Sequence, residues 1–393
     1  MHEAIYARID DVPDTLWDSI APADFFFQRA FLRVMEESGV EDATYRYVML
    51  LASDAPVGLA VLSGFTLKLD LLSGDPWIRR MRRWLPGLLD VPMICCGIPA
   101  SFGQHHLHVI RPELRRAAVH RVHRCMDAWA DETRCGMLLW KEWSAAQGVR
   151  ELVRAEGYVA LPTLPDHTVP RLPGTIEEFV GMMRSPYRRK YRAAAALMRG
   201  PRPVSTAGSL RLEESPFTAD AADEFFRGYR KVMERTRVRL ETYPEAFFRG
   251  LARSSLDVRT LRLVNGATGQ SLTALLIPSG DVLSFALVAK DRAHYDDALY
   301  TVLLQCIVLY GVRGRFTAVR LGQTSGYAKC SVGAQPQRLE TFIRMRGPRT
   351  HRALARFGRL LFPEVETPRV SVFRGGGAGT RLTDVLVTHS EIQ

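Results

Sequence analysis

Lys329 ends the stretch Leu321-Gly322-Gln323-Thr324-Ser325-Gly326-Tyr327-Ala328-Lys329, which starts where a predicted strand stops. A lysine held in a cleft supplies a cation that stabilises a developing oxyanion or holds a phosphate. On an open surface it is only a solvated charge. Gln323, Thr324 and Ser325 lie just past the strand end, where open α/β sheets place ligands. Their side chains can orient a bound group, or they can serve the turn and the helix start that follow. Tyr327 is either a proton donor lining a pocket or a half-buried packing residue. Glu142, in Lys141-Glu142-Trp143 after another predicted strand, can act as a general base if its pKa is raised toward neutrality. The alternative is a strand-end salt bridge.

Positive charge is the second chemical feature. The chain of 393 residues carries a formal charge of +11. Arg184, Arg188, Arg189, Lys190, Arg192, Arg199 and Arg202 fall together with no acid among them. Arg313, Arg315, Arg320, Lys329, Arg338, Arg344, Arg346, Arg349 and Arg352 form a second run against one acid, Glu340. Local i,i+4 pairing cannot neutralise these charges. Either acids elsewhere in the fold partner them, or they bind phosphate, which arginine does bidentately. Both runs are expected in the second half of the chain, with Arg188, Arg189, Lys190, Arg192, Arg315 and Arg320 as the phosphate-binding candidates. Arg79, Arg80, Arg82 and Arg83 interleave with Trp77, Met81 and Trp84. That pattern suits a nucleic-acid or membrane-surface contact, or a packed amphipathic turn.

Other chemistries are poorly supplied. The six cysteines have no CxxC pair and no Cys/His ligand spacing, and most sit in apolar runs, so buried free thiols are expected. His105, His106 and His108 lack further ligands nearby and are expected at the surface; no metal site is expected. Apolar residues make up 47% and charged residues 24%, which excludes extended disorder. No uninterrupted apolar stretch has the length of a membrane helix. Met1-His2-Glu3-Ala4 does not read as a secretory signal, and a cytoplasmic location is expected.

The elements that must position these residues read as mixed helix and strand. Strands are expected at 47–51, 57–65, 91–96 and 136–140, with helices at 114–129 and 145–156. Pro162, Pro165, Pro170 and Pro173 mark a connector near 162–174. Two short helices follow, the second being Pro186 to Arg199. Then come a strand at 209–213, helices at 220–237 and 243–253, and three consecutive strands at 257–264, 271–277 and 282–289. An apolar helix at 298–312 and strands at 317–321 and 338–344 complete the order. It is neither a Rossmann alternation nor a barrel repeat.

This order, with the Gly322-to-Lys329 segment followed by Val332-Gly333-Ala334, resembles the GNAT transferases of the Fem-like and BioF2-like (CelD-like) group. Ser185 to Arg192 resembles the basic helix that begins the second domain there, and Asp297-Ala298-Leu299-Tyr300 resembles the opening of its long helix. The resemblance spans about 1–360 and implies an α/β fold of tandem GNAT-like domains, each a mixed central sheet flanked by helices. The divisions expected are an N-terminal domain at 1–165, a connector and basic helix at 166–202, a C-terminal domain at 203–348, and a C-terminal helix and glycine-rich tail at 349–393. It implies an enzyme that transfers an acyl or aminoacyl group to an amine. Lys329 then lies where acyl carbonyl and acceptor meet, with Gln323, Ser325 and Tyr327 beside it, and Tyr300 and Glu142 toward the acceptor. No tightly bound cofactor is implied; the donor is a co-substrate.

The GNAT loop that cradles the acetyl-CoA pyrophosphate is missing from its expected place, since Ala289 to Asp296 holds no glycine. Arg374-Gly375-Gly376-Gly377-Ala378-Gly379 matches the pattern but has too little chain after it, and reads as a tail. That absence favours aminoacyl-tRNA over acyl-CoA as donor. A non-catalytic, nucleic-acid-binding GNAT scaffold is the third reading. No long heptad run marks a coiled-coil insertion, which favours a small natural-product-type amine as acceptor over a peptidoglycan precursor.

Overall fold

In the computed structural model the described residues are 1–68, 90–100, 102–144, 148–199, 210–234, 241–291, 297–362, 364–365, 367–368 and 370–374. The arginine–tryptophan stretch 77–84, Arg202 and the glycine-rich tail beyond 374 lie outside them. Two mixed sheets form the frame. The first has the order β1 (His2–Tyr6), β2 (Thr44–Ala52), β3 (Ala55–Lys68), β4 (Asp90–Cys96), β6 (Met137–Ser144), β15 (Leu339–Met345), β7 (Val159–Pro162), with β5 (Leu107–Val109) also on β3. The second runs β14 (Gln335–Gln337), β8 (Asp166–Val169), β13 (Ala318–Arg320), β12 (Val282–Lys290), β11 (Ser271–Ser279), β10 (Arg259–Asn265), β9 (Leu210–Pro216).

Among the described residues each sheet contains one parallel pair, β4 with β6 and β12 with β13; the other pairs are antiparallel. The predicted strands at 47–51 and 57–65 are the β2–β3 hairpin, and the three consecutive strands are β10 to β12. Their apolar runs are nearly continuous because both faces are buried. On β2, Tyr45, Tyr47 and Met49 face one core while Val48 and Leu50 face another. On β11, Leu275 and Ile277 join the first of these cores, while Leu272, Ala274 and Leu276 face a third beneath the Asp297–Arg313 helix.

The core shared by the sheets joins the halves. It holds Trp17, Phe25, Phe26, Phe31 and Phe102 from the first half with Phe225, Tyr229, Tyr243, Phe247 and Phe248 from the second. The sheets also exchange strands. β8, from the proline-rich connector, pairs with β13 and β14 in the second sheet. β15, the strand predicted at 338–344, enters the first sheet between β6 and β7.

That exchange corrects the placement of the basic residues. Arg344 and Arg346 leave the second half with β15 and meet Asp127, with Arg346 also on Asp131, beside the Arg115–Thr133 helix. Arg313 pairs with Glu214 and Arg338 with Glu364. The second basic run is therefore dispersed over two sheets and largely neutralised. The histidine cluster is also not at the surface. His106 is 2% exposed, and burial lowers its pKa to about 3. His105 packs its ring 4.4 Å from that of Trp143. The six cysteines are buried and free, and no metal-binding group of His, Cys, Asp or Glu occurs among the described residues. No described helix is long and apolar enough to cross a membrane.

Candidate functional site

Strands β12 and β13 pair in parallel only over Val282 to Ser284, opposite Ala318 to Arg320. Beyond Ser284 they part. A bulge at Ala286 on β12 sharpens the divergence, because the register with β11 jumps from Leu276–Phe285 to Leu275–Leu287. A cleft of about 180 Å³ opens in the gap. Ser284 to Val288 line one side and Arg320 to Thr324 the other. Phe26 and Phe102 of the first half close it together with Tyr229, Tyr243 and Tyr300.

Lys329 reaches this cleft from the Gly326–Ser331 helix. That helix buries Lys329 and Cys330 on one face and leaves Tyr327 72% exposed on the other. The connector strand β8 holds it in place. Leu321 N–H donates to the His167 carbonyl at 2.7 Å, and Gln323 Nε2 donates to the Leu164 carbonyl at 3.2 Å. Burial lowers the His167 pKa, so the neutral ring donates from Nδ1 to the Gly322 carbonyl at 3.0 Å. Gly326 sits where a Cβ would lie 2.8 Å from His167 Nε2, and Gly322 turns with φ +79°. Both positions therefore favour glycine, one for space and one for conformation.

Lys329 is 3% exposed. Burial disfavours the ammonium and lowers its pKa to about 7, against the opposing pull of the Asp166 carboxylate. Asp166, 2% exposed, is pushed the other way by burial, offset by Arg320 and Lys329. Arg320 lies 3.5 Å from Asp24 and 3.9 Å from Asp166, with its guanidinium over the Phe26 ring. It is thus largely committed to carboxylates. Lys329 is the cation in the cleft poised to change protonation near neutrality.

The sequence candidates separate on this geometry. Lys329, Gln323, Tyr300 and Arg320 line the cleft, and Thr324 stands at its rim. Ser325 is exposed in a left-handed turn and Tyr327 points outward; neither lines the cleft. Glu142 is buried in the first half, 3.6 Å from Lys141, and accepts N–H bonds from Gly103 and Gln104. Arg188, Arg189, Lys190 and Arg192 ride on the Ser185–Leu197 helix, away from the cleft lining, with the last three exposed. Arg315 is exposed on the turn before β13, at the opposite end of that strand from Gly322. Sequence reasoning missed Asp24, Asp166, Phe26, Phe102, Tyr229 and Tyr243. For Asp166 the signal was too weak to find: Asp166-His167-Thr168-Val169 is a four-residue strand enclosed by prolines.

No protein-family model matches the chain, and no curated protein matches it significantly. Solved structures do. The chain is similar to FemX, with 12% identity over 90% of this chain and 100% of that one, and a TM-score of 0.57. A tandem GNAT protein from the clavulanic acid biosynthesis pathway matches at 12% identity over 88% of this chain and 99% of that one, with a TM-score of 0.48. At these identities the likeness is one of fold. The chain shares the overall fold of FemX, with two mixed sheets flanked by helices.

Proposed function

We propose that the protein is an acyltransferase that forms an amide on an amine acceptor in the β12–β13 cleft. One observation carries this reading: a lysine that is 3% exposed reaches the cleft at the point where a central parallel pair parts. In the reaction the amine nitrogen attacks the activated carbonyl, the new C–N bond forms, and the carbonyl oxygen gains charge. The Lys329 ammonium stabilises that oxyanion in a site with little water, where such a group has most effect. Collapse breaks the bond to the donor's leaving oxygen or sulfur, which takes up the proton lost by the amine. Gln323 and Tyr300 line the walls, and Arg320, tied to Asp24 and Asp166, fixes the strand end.

The donor we propose is an aminoacyl-tRNA, used as a co-substrate with no tightly bound cofactor. The missing glycine loop supports this choice, as do Arg189, Lys190 and Arg192, for which no ion-pairing carboxylate is found among the described residues. The acceptor we propose is a small amine, in keeping with the cleft volume. The test supplies a charged tRNA pool and a panel of amines. Amide product that disappears on RNase treatment supports the reading. Product made from acyl-CoA in the presence of RNase replaces the donor. Salt-sensitive RNA binding without turnover on any donor makes the chain a binding module instead.

A further inference from the structure

The parallel pair β4–β6 occupies in the first sheet the place that β12–β13 holds in the second. Pairing stops at Cys96 opposite Trp140, and the strand end that follows is covered by the chain itself. Lys141 Nζ donates to the carbonyls of Ile98 at 3.2 Å and Ala100 at 2.5 Å. Glu142 Oε2 accepts from Gly103 N–H at 2.8 Å and Gln104 N–H at 3.2 Å. Trp143 meets the His105 ring. Three successive residues of one strand thus hold one loop.

The loop's other face serves the second half. A Cβ on Gly103 would lie 3.0 Å from Asp166, so the loop backbone packs directly on that carboxylate. Phe102 projects into the wall of the β12–β13 cleft, its ring centroid 5.3 Å from Phe26 and 6.2 Å from Tyr243, both lining residues.

We propose that Phe102 determines the size of the group the cleft accepts, with Lys141 and Glu142 as the positioning residues that hold it there. The first half's strand end supplies a wall to the second half's site. This rests on the reading that the β12–β13 cleft seats a reacting group.

The test measures binding of methylamine, butylamine and benzylamine by NMR titration to wild type, F102L, F102A and F102W, each checked for a native near-UV spectrum. F102A is expected to bind benzylamine about tenfold or more tighter than wild type, the scale set by small volume changes in apolar pockets, with methylamine little changed. F102L, a milder change that keeps the test alive if F102A does not fold, moves the same way, and F102W moves the opposite way. E142Q, which weakens the hold on the loop, narrows the difference between the amines. Unchanged affinities in folded variants overturn the proposal, as does failure of every variant to bind any amine. A size effect without turnover on any donor removes the transferase reading and leaves this inference. Turnover without a size effect does the reverse.

Discussion

Lys329 combines deep burial with a pKa lowered to about 7, and that combination affects stability as well as chemistry. In the unfolded chain a lysine titrates near ~10.4. Between that value and about 7 the unfolded state holds the extra proton, so Lys329 makes stability rise with pH across this window. Lys329→Met has no such proton. Its stability advantage over wild type is expected to shrink from pH 7 to 10, by at most ~1.4 kcal/mol per pH unit. Denaturant titrations at several pH values check this, and parallel curves for the two proteins would count against the burial of a titrating lysine. The sequence made Lys329 and Gln323 legible because both follow a strand end within one short segment. It hid Asp166, Phe26 and Phe102, which reach the same cleft from far-separated positions. No local spacing connects residue 26 or 102 with residue 329; only the shared core and the strand exchange bring them together.

At the scale of elements, the Asp297–Arg313 helix packs on the second sheet, against β10, β11 and β13. Gly311 is the closest approach: a Cβ there would fall 2.3 Å from Val319 on β13 and 3.8 Å from Leu283 on β12. Alanine is the better helix former by about 1 kcal/mol. Even so, Gly311→Ala is expected to destabilise the protein by about 1–3 kcal/mol, because the methyl group must push the helix off the sheet. A denaturant midpoint equal to or above wild type would show that the helix can shift freely. The elements themselves were largely legible. The hairpin, the three-strand meander and the long helix all announce themselves by period and turn residues. Strand β8 did not, because four residues among prolines carry too little pattern to outweigh a connector composition. The destination of β15 was not legible either. Its Leu, Thr, Phe and Ile content marks a strand but says nothing about which sheet receives it.

The molecule as a whole is interlocked. Among the described residues, β7 is paired only with β15, and β8 has both its partners in the second sheet. The aromatic core draws on both halves. Residues 1–165 alone would lack β15 and half of that core. We expect this fragment to give no cooperative unfolding transition, while the full chain unfolds in one transition that coincides by fluorescence and circular dichroism. Two separated transitions in the full chain would mean that the halves are independent bodies. The charge distribution belongs to this scale too. The run 313–352 looks like one basic patch in the sequence, but the fold spreads it over both sheets and pairs much of it with acids. The Ser185–Leu197 helix keeps its exposed cations, and so carries the polyanion-binding part of the proposal.

The function we propose is acyl transfer in the β12–β13 cleft, with Lys329 at its centre. Its most direct test compares wild type with Lys329→Ala, both shown to be folded, in transfer of a labelled aminoacyl group from charged tRNA to an amine panel. RNase-sensitive amide formation by wild type is expected, with a loss of about 100-fold or more in the variant. A folded Lys329→Ala protein that retains activity within about twofold of wild type would contradict it, since a group placed on the oxyanion contributes far more than that.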